Sequence, residues 1–142
     1  MLIGRYLLKA NKPNIFLAPD NLVSGQFFLT QGFEQNLLLV HQQDFEQLVS
    51  GFGNLSITDP LARLLSRLML GNAVQIAIGN DRQICIPDYL AGFAQLTEQA
   101  ILVGQGRYFE IWSPGFWKEQ ENRLMDASQN ADQFNLFNIS FA

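Results

Sequence analysis

Apolar and polar positions alternate cleanly at Val74, Ile76 and Ile78, which are separated by Gln75 and Ala77. That is the period of a half-buried strand. Gly79-Asn80-Asp81 follow, residue types that tolerate left-handed backbone; Ile84 and Ile86 then resume the alternation, and Pro87 closes it. The pattern predicts a β-hairpin whose register is held by five side chains on one face, because a one-residue slip turns them all outward. Burying each side chain contributes roughly 1.5–3 kcal/mol before conformational entropy is subtracted. Lys12-Pro13-Asn14 is the corresponding turn earlier in the chain.

The correspondence extends further. Ala18-Pro19-Asp20-Asn21-Leu22 is answered 68 residues later by Ile86-Pro87-Asp88-Tyr89-Leu90. Phe28-Leu29, a Gly turn, Leu37 to Val40 and Phe45 are answered by Ile101-Leu102, a Gly turn at Gly104-Gln105-Gly106, Phe109 to Trp112 and Trp117. Each half predicts strand, polar turn, strand ending in Pro, short helical turn, hairpin, and a helix opening with an aromatic. Two such halves make a pseudo-twofold α+β domain: residues 1–52 and 73–125, joined by a helical region over 53–72, with a polar tail at 126–142.

The joining region carries the best helix signal. Thr58-Asp59-Pro60 supplies an N-cap and a first-turn proline, and Gly71 a stop. Leu61, Leu64, Leu65, Leu68 and Met69 form one apolar stripe, with Arg63 and Arg67 lying off it. Ser113-Pro114 opens a second helix that turns Phe116 and Trp117 inward and Lys118, Glu119 and Glu121 outward. The tail is rich in Asn, Gln and Ser and holds three phenylalanines. It is either a frayed end or an arm that docks on a neighbouring subunit, and three exposed phenylalanines would be a liability.

Composition narrows the function. The 142 residues suit one domain, and 15% charged residues is low; either other subunits cover part of the surface, or the 12 phenylalanines fill a core. No apolar run is long enough to span a bilayer, and the opening segment is broken too early by lysine and proline for a signal peptide, so no membrane partner is expected. The lone cysteine, Cys85, is expected to pack within a strand and fits a reducing compartment. A net charge of −4 argues against a strong nucleic-acid binder, but local clusters still act. Arg5, Lys9 and Lys12 form the one basic concentration without intervening acids. They line either a phosphate-positioning surface or a cationic edge that protects a strand from pairing.

Catalytic chemistry finds no footing. His41 has no second His or Cys to complete a metal shell and reads as an exposed or capping residue before a helix. No nucleophile elbow or phosphate loop is present. Neither a metal, a cofactor nor a small-molecule substrate is expected, and no enzyme activity.

Together, Thr58 to Arg63, Arg67 to Ala73, Ile84 to Pro87, Ala100 to Gly106 and Phe109 to Trp112 resemble the MraZ family over about residues 1–120. This family is related to the AbrB, MazE and SpoVT swapped-hairpin DNA-binding proteins. The resemblance implies two AbrB-like swapped-hairpin halves forming one small β-barrel-like domain flanked by helices. It also implies a cytoplasmic, nucleoid-associated transcriptional regulator, assembled as a homo-oligomeric ring on repeated promoter DNA of a cell-division and cell-wall operon.

The family signature is Asp-x-x-x-Arg in each turn, usually with Gly before the Arg, and that arginine is the implied DNA contact. Here Asp, Gly and Arg fall on Asn11, Asn14 and Ile15, and again on Gly79, Arg82 and Gln83. Ile15 has no charge or donor with which to pair a guanine or a phosphate. Arg82 sits one residue early, and either reaches DNA from a rearranged turn or pairs with a neighbouring acid. The candidate DNA-binding residues are therefore Arg5, Lys9, Lys12, Asn14 and Arg82. The alternative function is a ring-forming structural or interaction protein in which DNA binding is lost or weakened.

Overall fold

A computed structural model describes residues 2–126. The expectations for the polar tail therefore lie outside the described residues, apart from Asp126. Eight strands form one sheet that curls into a nearly closed barrel, with four helices among the described residues. In chain order they are β1 (Leu2–Lys12), β2 (Ile15–Leu17), β3 (Gly25–Gln31), β4 (Leu37–His41), α1 (Gln42–Phe52), α2 (Pro60–Met69), β5 (Val74–Ile78), β6 (Gln83–Cys85), α3 (Asp88–Phe93), β7 (Gln99–Gly106), β8 (Tyr108–Trp112) and α4 (Pro114–Met125). The sheet order is β5-β3-β4-β8-β7-β1-β2-β6.

The ladder registers carry the internal repeat. In the short β2–β6 ladder, Phe16 pairs with Ile84, its counterpart 68 residues on, while Ile15 pairs with Cys85 and Leu17 with Gln83. Exchanging the halves maps this ladder onto itself. The β4–β8 ladder behaves the same way, with Leu38 opposite Glu110, Leu37 opposite Ile111 and Leu39 opposite Phe109. One pseudo-twofold axis thus passes through both ladders. β2 pairs with β6, β1 with β7 and β5 with β3, so each half ladders its first two strands onto the other. This exchange is the swapped-hairpin arrangement, although β2 also keeps β1 of its own half.

The exchange alters one expectation. β5 and β6 are joined by a tight turn, in which the Arg82 amide donates to the Gly79 carbonyl at 3.0 Å. Yet β5 pairs with β3 and β6 with β2, so Ile78 to Cys85 is a strand-turn-strand corner rather than a ladder-paired hairpin. The five predicted side chains still point inward: Ile78, Ile84 and Ile86 are buried, and Val74 and Ile76 pack partly buried against the core. Cys85, on the alternate face of β6, is exposed rather than packed.

The barrel interior is filled from both halves by Phe16, Ile84, Leu8, Leu29, Leu39, Leu102 and Ile111, each essentially fully buried. Gly104, expected in a turn, lies inside β7 opposite Gly4 of β1. A Cβ there would stand 2.4 Å from the Leu2 carbonyl oxygen, so the close approach of the two backbones requires glycine.

Outside the barrel, α1 and α2 cover β3 and β4 through Phe45, Phe52, Leu65 and Met69 packed on Leu38 and Val40. α4 covers β7 and β8 in the equivalent way, with Trp117 on Val103 and Trp112. α2 starts as its sequence dictates: the Asp59 carboxylate caps the Leu61 amide at 2.9 Å, and Pro60 occupies the first turn. Its far end is tied to β3, where the buried Thr30 hydroxyl donates to the Met69 carbonyl at 2.6 Å. Only the lower part of the predicted apolar stripe is used. Leu61 and Leu64 are 71% and 61% exposed, while Leu65 and Met69 pack against the sheet.

Removing the side chain at the axis should cost far more than removing an outward one. Ile84→Ala is expected to lose about 2–5 kcal/mol in urea unfolding, as buried aliphatic truncations do. Leu7→Ala, on the exposed face of β1, should lose less than about 1 kcal/mol.

Candidate nucleic-acid interface

Both chain-reversing turns flank the β2–β6 ladder, one beyond each end of its three residue pairs. Each turn closes through one non-glycine residue in the left-handed region: Asn14 at φ 61° and Arg82 at φ 59°. Such a conformation costs an ordinary L-residue about 1–2 kcal/mol, and asparagine is among those that tolerate it best. Left-handed tolerance was expected at Gly79-Asn80-Asp81; the strained position is instead Arg82, the counterpart of Asn14.

These two residues make equivalent crossed contacts. Asn14 donates from its amide to the Asp88 carboxylate of the other half at 2.5 Å. Arg82 donates from Nη1 to the Asp20 carboxylate and to the Ala18 carbonyl at 3.2 Å. The backbone repeats the exchange, with the Ile86 amide on the Asn14 carbonyl at 2.9 Å and the Ala18 amide on the Arg82 carbonyl at 2.7 Å. Each turn is thus clasped by the Pro-Asp segment of the opposite half. Asp20 and Asp88 were not anticipated in this role. The signal was present, since they sit in the repeated Pro-Asp-x-Leu segments at the same 68-residue spacing that separates Asn14 from Arg82.

The positions that align with the signature arginines lie on the outward face of the ladder. Ile15 and Gln83 are half-buried there, beside the exposed Leu17 and Cys85. This face is apolar and neutral, with one amide side chain to offer a base or a phosphate.

The cations separate into two groups. Arg5 faces outward from β1 and is held by α4: its guanidinium lies 5.4 Å from the Trp117 ring centre and 3.8 Å from Glu121. Lys9 and Lys12 are exposed, and no ion pair engages either among the described residues. With Asn11, Pro13 and Asn14 they border a groove of about 610 Å³ at the first turn, whose other wall carries Glu98 and Gln99. The structure therefore brings Lys9, Lys12 and Asn14 together and sets Arg5 and Arg82 apart, each already engaged by an acid.

A second concavity lies on the far side of the barrel, over the β4–β8 ladder. It measures about 650 Å³ and is lined by Leu38, Leu48, Phe52, Leu55 and Leu65, with Tyr108 and Glu110 at its floor. Glu110 accepts hydrogen bonds from the side chains of Asn36, Gln105 and Trp112. Burial, and secondarily the Glu110 charge, raises the Tyr108 phenol above its ordinary value of 10.0.

Comparison with known proteins points to one family. A family profile described as "MraZ protein, putative antitoxin-like" matches residues 69–138. A transcriptional regulator MraZ from Herpetosiphon aurantiacus is 31% identical over 143 aligned residues, spanning 98% of this chain and 100% of that protein. Another, from Dictyoglomus turgidum, is 28% identical across 94% of both chains, and one from Thermomicrobium roseum is 35% identical across 70% of both. The chain belongs to the MraZ family.

Two outcomes follow from the turn and the groove. Arg82→Gly relieves the left-handed strain that Arg82→Ala retains, and both lose the Asp20 contact. The glycine variant should therefore be the more stable by about 0.5–1 kcal/mol in denaturant titration. For Tyr108, the native state holds the phenolic proton at pH values where the unfolded chain has released it. Stability should thus be complete below pH 10 and fall as pH rises through the raised native value. Alkaline unfolding of Tyr108→Phe should lack that part of the decline.

Proposed function

We propose that the protein is a non-enzymatic transcriptional regulator of the MraZ type that binds repeated promoter DNA as a homo-oligomeric ring. Its target is a cell-division and cell-wall operon, and its place is the nucleoid of the cytoplasm. The observation that carries the proposal is the first turn, where Lys9 and Lys12 stand exposed beside the swapped ladder, with no ion pair among the described residues. Lysines at such a turn act as point charges on phosphates; they give affinity and register with little sequence information. Asn14 shapes this turn from its clasp with Asp88, while Arg5, further along β1, is held by Trp117 and Glu121. A ring presenting several such turns to repeated sites raises the effective concentration of each and compensates weak single contacts. Relatives carrying the name transcriptional regulator support the same function.

One observation favours an alternative. Ile15 and Gln83 stand where the signature arginines fall, and Arg82 is committed to Asp20. A family member altered in both turns fits a ring that acts through protein contacts, with DNA binding lost or weakened.

Titration of the protein with a duplex from upstream of its own gene, and with a scrambled duplex, separates the two functions. A regulator should prefer its own promoter and weaken steeply as salt rises. Lys9→Glu with Lys12→Glu should reduce binding much more than Arg82→Ala and lower the salt slope by about 2, roughly one per phosphate contact removed. Absence of binding to both duplexes at low salt, with the oligomer intact, would establish the protein-contact function instead.

A further inference from the structure

The groove over the β4–β8 ladder has an acid where the internal repeat calls for an apolar side chain. Its floor lies where the pseudo-twofold axis pairs Leu38 with its own counterpart, Glu110. Strict symmetry would place leucine at both positions, an apolar floor beneath the apolar wall of α1 and α2. The second half instead has a carboxylate, half-buried in a groove lined by Leu38, Phe52, Leu65 and Tyr108.

That carboxylate is held but not matched in charge. Its Oε1 accepts from the Gln105 amide at 3.0 Å and the Trp112 indole at 3.3 Å, and its Oε2 from the Asn36 amide at 3.1 Å. All three donors are neutral. A carboxylate has about four acceptor sites, so one remains open, on Oε2. No ion pair engages Glu110 among the described residues. A carboxylate withdrawn into apolar surroundings is costly unless a cation completes it.

The other charges along the groove offset one another. Asp44 and Arg107 both border the smaller concavity beside His41 as well, and so share that boundary. Glu34, at the rim, is met by Gln120 at 2.8 Å and by Arg123 at 4.0 Å. What remains is the acid at the floor, beneath a wall of Leu48, Phe52, Leu55 and Leu65. Phe33 and Glu34 mark one end of the groove and Arg107 the other, at opposite ends of the β4–β8 ladder. Bounded in this way and about 650 Å³ in volume, the groove suits a compact molecule rather than a chain running through it. Tyr108, whose phenol burial keeps protonated to higher pH, adds a neutral aromatic ring, a surface that attracts cations.

We propose that this groove is a binding site for a small lipophilic organic cation. An aromatic or branched apolar body packs against Leu48, Phe52 and Leu65, and a protonated amine donates to Glu110 Oε2 beside the Tyr108 ring. The site does not depend on DNA binding.

The test is a titration of the full-length chain with 4,4-diphenylbutylamine, 4,4-diphenylbutanol and 4,4-diphenylbutyrate, which share one apolar body and differ in charge. Leucine-methyl NMR locates each ligand, and calorimetry ranks the three. The amine should shift Leu48, Leu55 and Leu65. It should bind about tenfold tighter than the alcohol, the size of one charge-assisted hydrogen bond, with the carboxylate weakest. Glu110→Gln should bring the amine down to the level of the alcohol and leave the alcohol unchanged, which also reports that the variant is folded. Leu55→Arg, at an exposed position on the wall, should weaken the amine more than the alcohol. Equal binding of amine and alcohol, preference for the carboxylate, or shifts confined to other methyls would each overturn the proposal. So would a folded protein that binds none of the three.

Discussion

Everything in this barrel depends on the three-residue ladder in which Phe16 meets Ile84. It is the one ladder that joins the second strands of the two halves, and both side chains are fully withdrawn from water. Neither β2 nor β6 is long enough to persist alone, since an isolated two-stranded pairing in water is marginal even at greater length. Their pairing depends on the core they close, and the core on their pairing. The link joins residues far apart in sequence, so loop-closure entropy must be met before the contact returns anything. The strong local signals at β5 and at the Asp59-Pro60 start of α2 suit a chain that must hold its parts ready for that late closure.

The same ladder sets the chemistry at its ends. Because it is short, each turn projects past it and meets the Pro-Asp segment of the other half. An aspartate so placed engages whatever the left-handed residue offers. With Asn14 it receives one neutral donor; with Arg82 it receives a guanidinium and neutralises it. The two turns are alike in backbone and unlike in electrostatics, which leaves the first, with Lys9 and Lys12, as the cationic end of the axis.

Much of this was legible in the sequence where a local rule applied. The alternation at Val74 to Ile78, the cap at Asp59 and the repeat of Pro-Asp-x-Leu each follow from short-range periodicity, and the barrel's two halves follow from their order. What escaped depends on partners distant in the chain. The 79–82 turn reads as a hairpin because periodicity reports which face a residue takes and is silent on which strand lies beside it. Cys85 reads as packed because alternation fixes two faces without saying which is covered. Arg82 as a possible contact could be weighed only once Asp20, 62 residues away, was placed against it. The resemblance to a family located the turns, and the geometry then separated the lysines from the arginines.

Fusion of the halves into one chain has a hereditary consequence visible in the clasps. In a dimer of identical subunits, any substitution in a turn is copied at once into both turns, and its cost is doubled. Here Asn14 and Arg82 are separate codons. One turn carries a guanidinium while its twin carries an amide, and the partner is an aspartate in both. A duplicated scaffold of this kind can specialise its two ends one mutation at a time.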